Sequence, residues 1–383
     1  MTKRSISAPL PDGEQNEGQF YALHLLRGVA AVLVMLLHLH GYLSNEPNFV
    51  ASGHLAVDLF FLLSGYVIAY AYEGKLTAGL SYRSFIAARL VRLAPLYLLS
   101  VLFAALAVCV AILDYGFGAY SRLHLVATFA FSTLLIPTPP ALSTFPDILF
   151  PQNGPAWSLF FELLVNLAYG AIGVQLSRRA LIGVITLSGA TLIAAAFWYG
   201  TLEGGATWLT YPAAVPRVVF SFSLGVFIFR YFRQPIIRSR WVLPILMLIM
   251  TTVVLVYDPG DRLRPFYNLA AVMIVWPATV ALFATVRFGR LWTRISSSLG
   301  EASYGVYVMH TPVLNLVVAI SEWMTRTKWA GHGLVFAACS LMAAISLSNF
   351  ANALYDRPMR KVLAAAVFRS SRSHRSADIA GRQ

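Results

Sequence analysis

Arg27 and His38 stand eleven residues apart in one apolar run, Tyr21–Gly41, which reads YALHLLRGVAAVLVMLLHLHG. At roughly 100° per residue, eleven steps complete three turns plus about 20°, so a helix carries both on one face roughly 16 Å apart. A guanidinium and a titratable imidazole stacked across hydrocarbon are expensive unless something uses them. Imidazole suits general-base work because its pKa lies near neutral pH. The plainer alternative has Arg27 snorkelling to one interface and His38 sitting at the other. His24 and His40, nearer the ends of the run, read as interfacial.

Further polar residues fall at matching depths in other apolar runs. In HLAVDLFFLLSGYVIAYAY, Asp58 lies about a turn inside the outer end, where it could orient His38; Ser64–Gly65, near the middle, fit close helix packing. In PAWSLFFELLVNLAYG, Trp157 belongs at the outer interface, Glu162 lies below it, and Asn166 follows one turn on along the same face. His38, Asp58 and Glu162 thus reach one level from three runs. Arg217, in YPAAVPRVVFSFSLG, faces the outer half. In LGEASYGVYVMHTPV, Glu301 is at the inner end and Tyr304, Tyr307 and His310 lie deeper. Tyr307 and His310 share a face, either as a structural pair or turned toward a ligand. On the inner side, SYRSFIAARLVRLAPLYLL supplies Arg83, Arg89 and Arg92, with Arg89 and Arg92 on one helix face. Forked guanidiniums there suit a phosphorylated ligand; ordinary positive-inside charge or lipid headgroup contact is the alternative. In NFANALYDRPMRK, Asp356 pairs with Arg357 or Arg360 at the inner rim.

The elements that hold these residues are membrane helices. The chain is 58% hydrophobic and 12% charged, with a mean hydropathy of +0.67; soluble domains carry about twice that charge. Long unbroken apolar runs give an all-α integral membrane fold and exclude a transmembrane β-barrel. Ten spans are expected, near 21–42, 55–72, 94–113, 157–176, 181–199, 213–231, 241–257, 266–286, 301–321 and 333–355. With a cytoplasmic N-terminus, 22 of the 29 Lys and Arg fall inside and six outside, while Arg27 lies within the first span. That asymmetry places both termini in the cytoplasm and explains the net charge of +13 without nucleic acid. Leu123–Ile136 is apolar but short, and making it a span would invert every later loop. It is expected to be re-entrant or interfacial within a long outer loop from Asp114 to Ala156, whose Asp147, Gln152 and Asn153 offer a carbohydrate-facing surface. The first twenty residues lack the apolar region of a cleavable signal peptide. Cys109 and Cys339 lie in apolar runs, which argues against a disulfide or a metal site. The expected organisation is a polar cytoplasmic segment (1–20), a transmembrane domain (21–355) and a basic cytoplasmic tail (356–383).

Six pieces in order carry a resemblance: LRGVAAVLVMLLH, VDLFFLLSGYVIA, RLVRLAPLY, PAWSLFFE, PRVVFSFSLG and SYGVYVMHTPV. Together they cover the first nine spans, and the chain resembles membrane-bound acyltransferase family 3, integral-membrane O-acyltransferases of bacterial glycans and some small molecules. Asp356 stands where Glu is more usual, and no esterase-like C-terminal domain follows, so the chain looks like a stand-alone form. The resemblance implies transfer of an acyl group, most often acetyl, from cytoplasmic acyl-coenzyme A to an acceptor hydroxyl, in a multi-pass protein of the bacterial inner membrane. Its key Arg and His map onto Arg27 and His38, its inner arginine motif onto Arg89 and Arg92 as the coenzyme A site, and its Trp-Ser…Glu motif onto Trp157, Ser158 and Glu162. A compatible mechanism has His38, oriented by Glu162 or Asp58, acting as general base, with Arg83, Arg89 and Arg92 on the coenzyme A phosphates. A covalent acyl-His38 is the variant. Trp157, Ser158, Arg217, Tyr304, Tyr307 and His310 are expected to line the acceptor, a carbohydrate or glycolipid such as a lipopolysaccharide or polysaccharide unit. No metal is expected. A proton-coupled transporter or flippase would use a similar buried charge set but would not need coenzyme A.

Overall fold

The computed structural model describes residues 20–41, 48–116, 121–232, 237–326 and 333–366. The chain forms an all-α bundle whose helices run α1 Tyr21–His40, α2 Ala56–Thr77, α3 Tyr82–Tyr115, α4 Arg122–Thr133, α5 Ala156–Ile172 and α6 Arg178–Tyr199. There follow α7 Tyr211–Tyr231, α8 Val242–Val256, α9 Gly260–Ala270, α10 Trp276–Phe283, α11 Arg290–Thr325 and α12 Gly333–Ala351. Among the described residues eight helices are long and apolar enough to cross a membrane, α9 and α10 counting as one, and α8 is a shorter apolar helix. The expected segment before Phe20, the tail beyond residue 366, Lys328 and the Cys339 side chain lie outside what is described.

Two helices run well past the expected spans. α3 has 34 residues and α11 has 36, roughly 50 Å each at 1.5 Å per residue against a hydrocarbon core of about 30 Å. Ser81 caps α3 by accepting from the Ser84 amide, and nothing between Tyr82 and Pro95 breaks the helix. The basic stretch expected as a loop is therefore the first three turns of α3. α4 is a 12-residue helix, too short to cross. It is tied back to α3 by Tyr97 Oη, which donates to the Ser132 carbonyl at 2.5 Å, and Leu135 then turns the chain in a left-handed conformation.

α1, α2, α7 and α11 form the interior, with α3, α6, α8–α10 and α12 around them. Two contacts between helices are backbone-close and need glycine. A Cβ at Gly65 of α2 would collide with the Phe222 carbonyl of α7, and one at Gly225 would collide with the Leu62 carbonyl. On α1 and α11, Gly28 faces Leu299 and Gly300 faces His24, where added Cβ atoms would lie 2.6 and 2.5 Å from carbon atoms of those residues. Small residues thus let pairs of helices approach closely, as membrane packing favours.

Prolines are accommodated in two ways. Pro277 and Pro358 each follow a π turn, Ala271–Val275 and Asn352–Asp356, whose wider i→i−5 spacing absorbs the missing amide and the ring's clash with the preceding turn. Pro312 sits inside α11 and leaves the Val308 carbonyl without its helical donor. Asn153, from the loop before α5, supplies one: its Nδ2 donates to Val308 O at 2.8 Å and to Ser100 Oγ at 3.0 Å.

That loop is built inward. Leu149 N donates to Ala206 O and Trp208 N to Asp147 O, stitching it to the loop after α6, and Trp208 Nε1 donates to Thr138 O. Gln152 and Asn153 are buried, so of the three polar residues expected on a carbohydrate-facing surface only Asp147 is exposed. At the arginine-rich end of the bundle, Arg230 joins Glu73 and donates to the last carbonyls of α5 and its extension, Gly173 and Leu176. Two short parallel strands, β1 Ile237–Ser239 and β2 Val286–Phe288, pair at the feet of α8 and α11.

Candidate active site

α1 carries Arg27 and His38 against α11, and both side chains are only half-buried. Arg27 Nε donates to Ser303 Oγ at 2.7 Å and its NH2 donates to the Gly300 carbonyl at 2.6 Å. The guanidinium is thereby held by a backbone acceptor and a hydroxyl, with no acidic side chain in hydrogen-bond contact among the described residues. Glu162 lies within electrostatic reach of it.

His38 is held by its Nδ1. That atom lies 2.9 Å from the Val34 carbonyl and 3.3 Å from Nε2 of His310. A carbonyl only accepts, so Nδ1 of His38 carries the proton and Nε2 carries the lone pair. The same logic applies to His310, whose Nδ1 lies 3.0 Å from the Val306 carbonyl and whose Nε2 is therefore an acceptor facing His38. The two rings are 4.9 Å apart between centroids, tilted by 56°. Nε2 of His38 has no partner among the described residues, which leaves a neutral, basic nitrogen free for a substrate hydroxyl.

The carboxylates expected to orient His38 are engaged elsewhere. Asp58 forms a two-pronged ion pair with Arg217, Oδ2 to NH2 at 2.6 Å and Oδ1 to Nε at 3.1 Å, with no exposed side-chain surface on either residue. Arg217 also donates to the Gly204 and His54 carbonyls and stacks on the Trp157 ring at 5.4 Å. This is a closed structural lock between α2, α5, α7 and the loop after α6. Asp58 cannot turn to His38, and neither Arg217 nor the buried Trp157 can reach an acceptor. Glu162 accepts from Ser64 Oγ at 2.7 Å and is felt electrostatically by Arg27, Tyr304 and Tyr307. It belongs to the Arg27 level of the site.

Tyr307 is not bonded to His310 through its hydroxyl. Its Oη lies 2.6 Å from Ser158 Oγ, and its ring lies edge-on to Phe60. Ser158 is buried by this contact. Tyr304 Oη donates to the Leu93 carbonyl at 2.6 Å, and the Arg92 guanidinium lies over its ring at 5.8 Å. His310, fully buried, stands behind His38 and touches no open surface. The sequence places it facing a ligand; α11 packs it against His38 of α1 instead.

The three arginines expected at the phosphate site separate. Arg89 and Arg92 share a face of α3, and neither has a hydrogen-bonded acceptor among the described residues. Arg92 lies within electrostatic reach of Arg27, Arg89, Arg360 and Asp356. Arg83 is nine residues from Arg92, two and a half turns, so it projects from the opposite face and is exposed. Asp356 is bonded to Arg360, not to Arg357, which pairs with Glu301. Arg360, expected only as a partner of Asp356, thus stands close enough to Arg92 to act on it electrostatically. Glu203 is a residue the sequence reading missed: it comes from the loop after α6 and is the acidic side chain that acts electrostatically on His38. Nothing in its own stretch, TLEGGATW, signals that.

A family model described as an acyltransferase domain matches residues 20–351. A protein of Rhizobium radiobacter named protein 2 in the picA locus is 38% identical over 186 residues, which is 46% of this chain and 95% of that protein. No solved structure matches significantly.

Proposed function

The chain belongs to membrane-bound acyltransferase family 3, and from that premise we propose that it moves an acyl group, acetyl in the first instance, from cytoplasmic acyl-coenzyme A to a hydroxyl of a cell-surface or lipid-linked glycan. The chain is a multi-pass membrane acyltransferase; the donor, the acceptor and a bacterial inner-membrane location are our reading. The observation that carries it is the placing of two groups on α1: Arg27, beside Arg92, at one end, and His38, whose Nε2 has no partner among the described residues, at the other. The arginine-rich end faces the cytoplasm under the positive-inside rule, and the His38 end faces the acceptor side.

Arg89 and Arg92 hold the coenzyme A phosphates, which supply the acceptors these side chains lack among the described residues. Arg27, anchored on Gly300 and Ser303, lies between them and His38 with Glu162 nearby, and lines the way for the acyl-bearing arm. At the upper end His38 Nε2 takes the hydroxyl proton as the hydroxyl oxygen attacks the thioester carbonyl. The C–S bond then breaks, and the proton passes from His38 to the departing thiolate, so the histidine ends as it began. The buried charges need no proton-coupled transport to account for them once they serve acyl transfer.

The test is acyl-coenzyme A turnover by purified protein in nanodiscs with a crude envelope-glycan extract. Acceptor-dependent thiol release and label in the glycan are expected in the wild type, with loss in His38→Ala and Arg27→Ala. Normal transfer by a folded, inserted His38→Ala would overturn the mechanism. Failure of the folded wild type to bind acetyl-, propionyl- or succinyl-coenzyme A would overturn the donor assignment.

A further inference from the structure

We infer that His310 is a positioning residue for His38: it fixes the tautomer that leaves Nε2 of His38 basic, the task a carboxylate performs in other histidine-based sites. The inference rests on the reading of His38 as general base. Its own warrant is the geometry behind that ring. Nδ1 of His38 faces two acceptors, the Val34 carbonyl at 2.9 Å and the His310 lone pair at 3.3 Å. In the other tautomer the lone pair on Nδ1 would meet both of them without a proton between, and the hydrogen bond to each would be lost.

His310 can do this because it is itself fixed. Its Nδ1–H is spent on Val306 O, and the ring is completely buried, so Nε2 can offer only a lone pair. Its place on α11 is two residues before Pro312, where Asn153 satisfies the Val308 carbonyl that the proline leaves without a helical donor. During transfer His38 gains a proton at Nε2 and becomes an imidazolium. Its Nδ1–H then donates more strongly to the same two acceptors, so the charge is stabilised without any proton moving to His310. Glu203 acts on this ring from the loop side and His310 from behind; no other titratable side chain of the described residues is bonded to it.

The test compares His310→Phe, which removes the acceptor while keeping a flat ring, with His310→Gln, whose amide oxygen restores one. Each is measured for kcat, for KM toward acyl-coenzyme A, for acyl-coenzyme A binding, and for the 15N shifts of the His38 ring at neutral pH. The Phe variant is expected to lose kcat about ten- to a hundredfold, part of the usual general-base contribution, with binding and KM unchanged and the 15N signal of the His38 Nδ1–H, left to the Val34 carbonyl alone, shifted. The Gln variant is expected to keep kcat within a few fold and a single Nδ1–H signal. The wild-type spectrum is a test that needs no variant: a His38 protonated at Nε2 in the neutral ring overturns the inference outright. So does a Phe variant with full kcat while His38→Ala is inactive. If His38→Ala is active, the general-base reading itself has failed.

Discussion

Removing Asp58 alone should destabilise the protein markedly, and removing Asp58 together with Arg217 should not inactivate it. The two side chains are fully buried and joined by two short contacts. Breaking such a pair from one side typically costs about 3–5 kcal/mol, because the remaining charge has lost its counterpart. Asp58→Ala leaves Arg217 its carbonyl partners Gly204 and His54 and the Trp157 face, which puts it toward the lower end, near 3 kcal/mol. Arg217→Ala leaves a bare carboxylate with no other cation bonded to it among the described residues and falls toward the upper end, about 5 kcal/mol. The double change Asp58→Leu with Arg217→Met replaces both charges by apolar volume and should return most of that stability. The assay is unfolding in mixed micelles followed by tryptophan fluorescence, with acyl transfer normalised to the folded fraction. A double variant that is folded yet inactive would refute the structural assignment and return Asp58 or Arg217 to the chemistry.

Arg89→Ala and Arg92→Ala should each raise KM for acyl-coenzyme A by about 10- to 100-fold, the worth of one hydrogen bond to a charged group, whereas Arg83→Ala should leave it unchanged; steady-state kinetics with a fixed acceptor decide this. Gly65→Val should abolish folded protein, because its Cβ meets the Phe222 backbone, while Gly74→Ala, with open space around it, should be neutral in a thermal shift assay. Asn153→Ala should cost about 1–3 kcal/mol by orphaning the Val308 carbonyl, and Asp147→Ala, which removes an exposed side chain and keeps the backbone contact to Trp208, should cost almost nothing in the same unfolding assay. Asn166 is fully buried with neither amide atom partnered among the described residues, so Asn166→Leu should stabilise the fold, a gain of about 1 kcal/mol by the same measurement.

The bundle and the Arg27–His38 spacing were legible because both follow from local periodicity: apolar runs of membrane length, and a helical repeat that needs no tertiary information. Depth was legible only in part: Glu162, expected level with His38, acts on Arg27 instead. Direction around each helix axis was not legible. Asp58, expected to orient His38, turns to a partner 159 residues away. That choice is made by how closely α2 and α7 approach at Gly65 and Gly225. Arg83 was misplaced because the stretch before Pro95 was read as a loop; once it is helix, nine residues carry Arg83 to the wrong side. Gln152 and Asn153 look like surface polarity in a proline-rich loop. Asn153 is buried because a proline in a distant helix leaves a carbonyl that needs a donor. His310 was visible as a titratable residue within a span, yet its neighbour on α1 depends on which helices pack together.

The pairing of β1 with β2 makes the stretch between them an excursion that starts and finishes at one point. α8, α9 and α10 leave from Ser239 and return at Val286, so the chain ends of this unit are already joined. Its helices rise and descend as a hairpin, with the turn at Tyr257–Gly260 on the far side. During synthesis such a unit can enter the bilayer as a pair and then dock on α1. For protein engineering it marks a natural place to divide the molecule. Fragments separated at that turn each carry one strand of the clasp and complementary faces for α1, so co-expression should rebuild the enzyme from two chains.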